Sequence, residues 1–238
     1  MLKKERVFYI KEHLKLIKEA AFGFVYAKRQ KKRRLINKKF KERIMLAVTE
    51  VNGCAMCSYV HTKLSLGAGM ELSEIRNILG GNHDEVSDYE IVAVVFAQHY
   101  ADSKENPSPE SIETLREFYG YEVAELILNL LKVITLTNSM GINMNFLKER
   151  FLFKREKRSN FFRELSIIGL TFILFPLYFI YNIVSERVET NKNYLKTYEN
   201  RFFYYFKVLS LCSNKAENAY IFVKKIKISS FYKKNDLL

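Results

Sequence analysis

Cysteine is scarce in this chain: there are three in 238 residues, two of them only three positions apart. That excludes a disulfide scaffold, and in a reducing compartment a C-x-x-C pair reads as redox or metal chemistry. Strand patterns are missing as well. No convincing alternating apolar run precedes residue 150, so this part of the chain is expected to be all-α. A secretory leader is also lacking, because Met1 to Ala20 hold no uncharged apolar run and no small-residue cleavage site. The region that follows is therefore expected to stay in the cytosol.

Charge is present in blocks. Residues 1–50 carry 16 Lys and Arg against 5 Asp and Glu, residues 51–147 carry 5 against 13, and residues 148–238 carry 18 against 8. An acidic middle between basic ends points to an anionic partner for the ends, either nucleic acid or a membrane surface. The basic run Lys28 to Arg34 has no nucleic-acid-reading motif beside it, so a solvated or membrane-facing patch is the preferred reading and no nucleic-acid partner is expected.

Apolar periodicity orders the helices. Residues 4–27 form an amphipathic helix on Val7, Ile10, Leu14, Ile17, Ala21 and Phe24, within a basic N-terminal segment 1–34. A second helix spans 38–51, and after the Asn52-Gly53 break a third runs from Cys54 to about Leu66. A short helix follows at 73–79, behind a Ser73 cap, and a strong one from Ser87 ends before Asn106-Pro107, with Tyr89, Val92, Val95, Phe96 and Tyr100 inward. Another starts at Ser108 or Pro109, and Glu122 to Thr137 closes the core domain, 35–147.

Chemistry concentrates between Glu42 and His61. Cys54, Cys57 and His61 form C-x-x-C-x-x-x-H, and at 3.6 residues per turn the three side chains share one stripe of a helix. His61 lies one turn beyond Cys57 and is placed to take a thiol proton, while Glu42 on the preceding helix can orient that imidazole or relay the proton. The helix N-terminus favours Cys54 as the lower-pKa thiol, whereas the neighbouring His61 favours Cys57. Two other readings compete: both cysteines as small buried apolar residues, and a zinc site of Cys54, Cys57, His61 and Glu42, which fits tetrahedral closure poorly from one helix. His99 reads as a hydrogen-bonded core histidine, His13 and His83 as surface residues, and Cys212 as a bystander.

The full pattern, E-x11-C-x2-C-x3-H, resembles the carboxymuconolactone decarboxylase and alkylhydroperoxidase AhpD-like family, in its CxxC-containing redox branch. The likeness covers roughly residues 35–145 and includes the segment from Leu66 to Gly80. It implies an all-α domain, trimers or multiples of trimers, and a thiol peroxidase without a cofactor that reduces alkyl hydroperoxides or hydrogen peroxide. In that cycle Cys57 attacks, Cys54 closes the disulfide, and an external dithiol, a lipoyl protein or a thioredoxin-like partner, resets the pair. Met56 departs from the family pattern, which often has an aromatic residue or His beside the second cysteine. The competing function is a redox-responsive assembly protein without turnover.

Leu165 to Val184 is a run of twenty residues without a charge. At about 1.5 Å per residue it reaches roughly 30 Å, the thickness of a bilayer's hydrocarbon, so it reads as a single transmembrane helix. The preceding segment, 148–164, holds seven Lys and Arg and is taken as a juxtamembrane linker; 185–201 holds four. The positive-inside tendency then keeps the N-terminal domain in the cytoplasm, with membrane lipid as a partner. Residues 185–238 form a basic, aromatic-rich tail.

Overall fold

A computed structural model describes residues 4–154 and 156–189, and within them the chain is helical with no strand. Eight α-helices follow in order: α1 Ile10–Gln30, α2 Lys38–Asn52, α3 Ala55–Gly67, α4 Leu72–Leu79, α5 Asp88–Asp102, α6 Pro109–Tyr119, α7 Tyr121–Phe151 and α8 Phe161–Glu189, with a short 3-10 turn, Lys31–Arg33, after α1. The tail beyond residue 189, with Cys212, lies outside the described residues.

α2 is the central element. Asn37 opens it by accepting from the Phe40 amide, and Gly53, at φ 70°, closes it in the left-handed region that glycine enters at little cost. From Ile44 to Glu50 every side chain is buried, so α2 is packed on all sides rather than along one stripe. Arg43 pins it to two neighbours, ion-paired to Glu74 of α4 at 2.5 Å and to Glu90 of α5. The main core gathers around it: Ile44 and Leu46 of α2, Ala93 and Ala97 of α5, Ile127 and Leu131 of α7.

A second apolar cluster lies on the other side of α7. It joins Phe8, Leu16, Ile17 and Ala20 to Leu136, Ile142 and Phe146 of α7, Ile167 of α8, and both Cys54 and Cys57. α1 lies against α7 so closely that a Cβ on Gly23 would stand 2.7 Å from the carbonyl oxygen of Asn129. α8 runs beside α1, with Arg163 stacking over the Tyr9 ring, His13 bonded to Thr171, and Phe24 edge-on to Phe175 and Phe179. Arg150 of α7 ties down its start by a double hydrogen bond to the buried Glu164, at 2.7 and 2.9 Å.

Several expectations need correction. α1 starts at Ile10, and its expected apolar stripe is only partly buried: Ile17 and Ala21 are covered, whereas Ile10, Leu14 and Phe24 are about two-fifths exposed, and Leu16, Ala20 and Val25 complete the buried face. The stripe is the side toward α8, which covers it only in part. On α5, Tyr89 and Val95 point outward and Ala93, Val94 and Ala97 inward, because small side chains let α2 approach. The cap of α4 is Glu71, without a side-chain bond, rather than Ser73. α7 extends through Asn138 and Gly141 to Phe151, since its buried face continues at Ile142 and Phe146. The segment 148–164 is consequently no free linker: only residues 152–160 join α7 to α8. α8 is itself longer than the uncharged run that marks it in the sequence.

α8 and α7 are both long and apolar enough to cross a membrane, but α7 is mostly buried in the protein. α8 is not. Only 11 % of its apolar window is buried, and Phe172, Ile173, Leu177, Ile180 and Val184 form an exposed outer stripe.

Candidate functional site

The four predicted residues lie on α2, on α3 and at the turn between them. Gly53 turns the chain so that Cys54 becomes the N-cap of α3, its sulfur accepting the Cys57 amide at 3.2 Å. Cys54 is therefore just outside the first turn rather than in it. Cys54 and Cys57 are joined as a disulfide, the oxidised state of a dithiol; zinc ligation by the same residues would require it opened. Cys54 is fully buried and Cys57 is 7 % exposed.

Glu42 and His61 make the other half. Glu42 is 3 % exposed, and its Oε2 lies 2.7 Å from His61 Nδ1. Burial pushes the Glu42 carboxyl up, but hydrogen bonds from His61 and Lys41 together outweigh it and hold the group below the usual carboxylate range. An ionised Glu42 accepts, so the proton belongs on Nδ1 and the Nε2 lone pair is left to take another. Nε2 has no hydrogen-bond partner among the described residues. The structure thus brings Glu42 to His61 and Cys54 to Cys57; in this oxidised form no hydrogen bond joins His61 to either sulfur.

Three contributors were not visible in the motif. Lys41 Nζ stands 2.9 Å from Glu42 Oε1; its signal was only its place beside Glu42. The Thr137 carbonyl of α7 faces Cys57 Sγ at 3.6 Å, and nothing in the sequence marks it. Gly141, one turn on, is the third: a Cβ there would stand 2.9 Å from Cys54 Sγ, 3.0 Å from Cys57 Sγ and 3.3 Å from Met56 Cε. The disulfide rests on bare helix backbone. A lone glycine inside an apolar helix was the available signal.

The remaining histidines depart from expectation. His13 is fully buried, its Nδ1 2.9 Å from Ser139 Oγ and its Nε2 2.7 Å from Thr171 Oγ1, and burial lowers its pKa to about 4. His83 is half-buried and bonded to Gln98 at 2.9 Å. His99, expected in the core, is exposed and lines a shallow groove with Val92 and Leu115.

Residues 15–83 match the model of the carboxymuconolactone decarboxylase family. No curated protein and no solved structure matches the chain. The matched segment begins inside α1 and ends after α4, so it contains the whole Glu42, Cys54, Cys57 and His61 constellation, and over this helical segment the chain is similar to the carboxymuconolactone decarboxylase family.

Proposed function

We propose that the protein is a thiol-dependent peroxidase of the AhpD-like, CxxC-containing branch, cycling Cys54 and Cys57 between dithiol and disulfide. The observation that carries this is the sulfur pair closed over Gly141 with the Glu42–His61 couple one turn away. Cys57 attacks the peroxide: it is the less buried sulfur, and His61 follows it at i+4 with Nε2 free to accept its proton. Cys54 then displaces the sulfenic oxygen as water. An external dithiol, on a lipoyl or thioredoxin-like protein, resets the pair.

Assembly as a trimer or a multiple of it is proposed from the family resemblance, and the mass of the assembled particle checks it. Met56, Tyr59, Val60 and Leu64 leave an apolar stripe exposed beside the sulfurs. For the membrane, the domain is proposed to sit on the cytoplasmic face, anchored by α8. A full crossing of residues 165–184 would pull Thr171 from His13 and Phe175 from Phe24. Held as in the structure, α8 meets lipid with its outer stripe and lies along the membrane surface, and this docked form is the second reading that those contacts favour.

The test is intact mass of the reduced full chain treated with tert-butyl hydroperoxide, beside Cys54→Ser and Cys57→Ser. The expected result is loss of two hydrogens in the parent, a single added oxygen in Cys54→Ser, and no oxidation in Cys57→Ser. If the parent gains no disulfide, the redox-responsive and peroxidase readings both fall. If it oxidises once but consumes no further peroxide with excess dithiol present, it is the assembly protein without turnover.

A further inference from the structure

We infer that the substrate of this site is an acyl hydroperoxide carried by a phospholipid in the bilayer; the inference rests on the peroxidase reading above and names its substrate class. The sulfurs stand in an apolar wall. Among the described residues, the polar atoms against them are the Cys57 amide and the Thr137 carbonyl, neither of which carries a charge to hold a charged or small hydrophilic peroxide. Recognition is left to apolar contact.

That wall is continuous with the helix that meets lipid. Cys54 and Cys57 share one cluster with Leu136, Ile142 and Ile167, and Leu170 and Leu174 of α8 pack against it. The opposite side of α8 is the exposed stripe of Phe172, Ile173 and Leu177. The surface proposed to touch lipid is therefore the far side of the helix that closes this cluster. On the outer side, Met56 Cε closes over the same point of α7 as both sulfurs, and Tyr59, Val60 and Leu64 extend the apolar path along α3. A hydroperoxide group on an oxidised acyl chain is drawn to the polar edge of the bilayer, where such a path can receive it.

The electrons balance within the dithiol. The attacking thiolate forms an S–O bond to the terminal peroxide oxygen as the O–O bond breaks, and the lipid leaves as an alcohol, taking the proton held on His61. The second sulfur then forms S–S, and the sulfenic oxygen leaves as water. Two electrons have passed from two thiols to one hydroperoxide, and an external dithiol restores them.

The experiment uses the reduced full chain on phosphatidylcholine and phosphatidylglycerol vesicles, with disulfide formation in a single turnover read by mass. Vesicles carrying a phospholipid hydroperoxide are compared with tert-butyl hydroperoxide, hydrogen peroxide and a free fatty-acid hydroperoxide in solution. The phospholipid hydroperoxide is expected to react about tenfold faster than tert-butyl hydroperoxide at equal concentration, the gain from burying roughly two methylenes. Equal or faster oxidation by tert-butyl or hydrogen peroxide overturns the lipid assignment and leaves the peroxidase intact. A faster free fatty-acid hydroperoxide overturns delivery from the bilayer. Oxidation by none of the four removes both proposals.

Discussion

Gly141 is the residue on which the redox pair depends without belonging to the motif. Any side chain there must push at least one sulfur away, because α7 cannot retreat: its other faces hold the main core and α1. Overpacking of this kind costs about 1–3 kcal/mol. The clash is with the sulfurs, so it falls mainly on the oxidised protein, whose sulfurs are fixed, and less on the dithiol, whose side chains can rotate. Gly141→Ala should therefore make the pair easier to reduce, by ~20–60 mV, in a glutathione titration followed by mass. An unchanged midpoint would show that the sulfurs shift freely. The motif itself was legible because its four residues lie within twenty positions and repeat at helical spacing. Gly141 and Thr137 were not, since they reach the same sulfurs from about eighty residues further on, and only the packing of α7 brings them there.

Among the elements, α8 is joined to the domain by a buried polar contact that sequence reading placed at the surface. His13 looks solvent-facing on its own helix; its partners Ser139 and Thr171 are 126 and 158 residues away. The helices were legible from apolar periodicity, whereas which face is covered depends on partners that a single periodic stripe does not name. His13 also makes the docking sensitive to acid. Its unfolded imidazole titrates near 6.5, and the buried one at about 4. As pH falls the unfolded chain takes up the proton first, so the contribution is complete above 6.5 and is lost progressively down to about 4. It amounts to about 3 kcal/mol at most. Urea midpoints of the parent should fall across that window more steeply than those of His13→Gln, by up to one proton; parallel curves would refute the assignment.

For the whole molecule, the arrangement of α1 beside α8 bears on topology. α1 carries Lys11, Lys15 and Lys18 along the length that α8 accompanies, and these charges cannot follow it into hydrocarbon cheaply. The docked form proposed above predicts that Cys212 is reached from the cytoplasmic side. Cys212 then reacts with an impermeant maleimide offered to the cytoplasmic face of inverted vesicles, measured with Cys54→Ser, Cys57→Ser as background. Protection of Cys212 there, with labelling from the opposite face, would establish the crossing that the uncharged run and the flanking charges imply.

Cys54 caps α3 with the same sulfur that stores the oxidising equivalent. The head of the helix is thereby locked while the pair is oxidised and gains a rotatable end when it is reduced, so the backbone amides of Ala55, Met56 and Cys57 exchange with deuterium on two different clocks. The external dithiol proposed above, were it to dock on α3, would meet a stiff end in one state and a frayed one in the other, and could tell spent protein from fresh before any sulfur is touched.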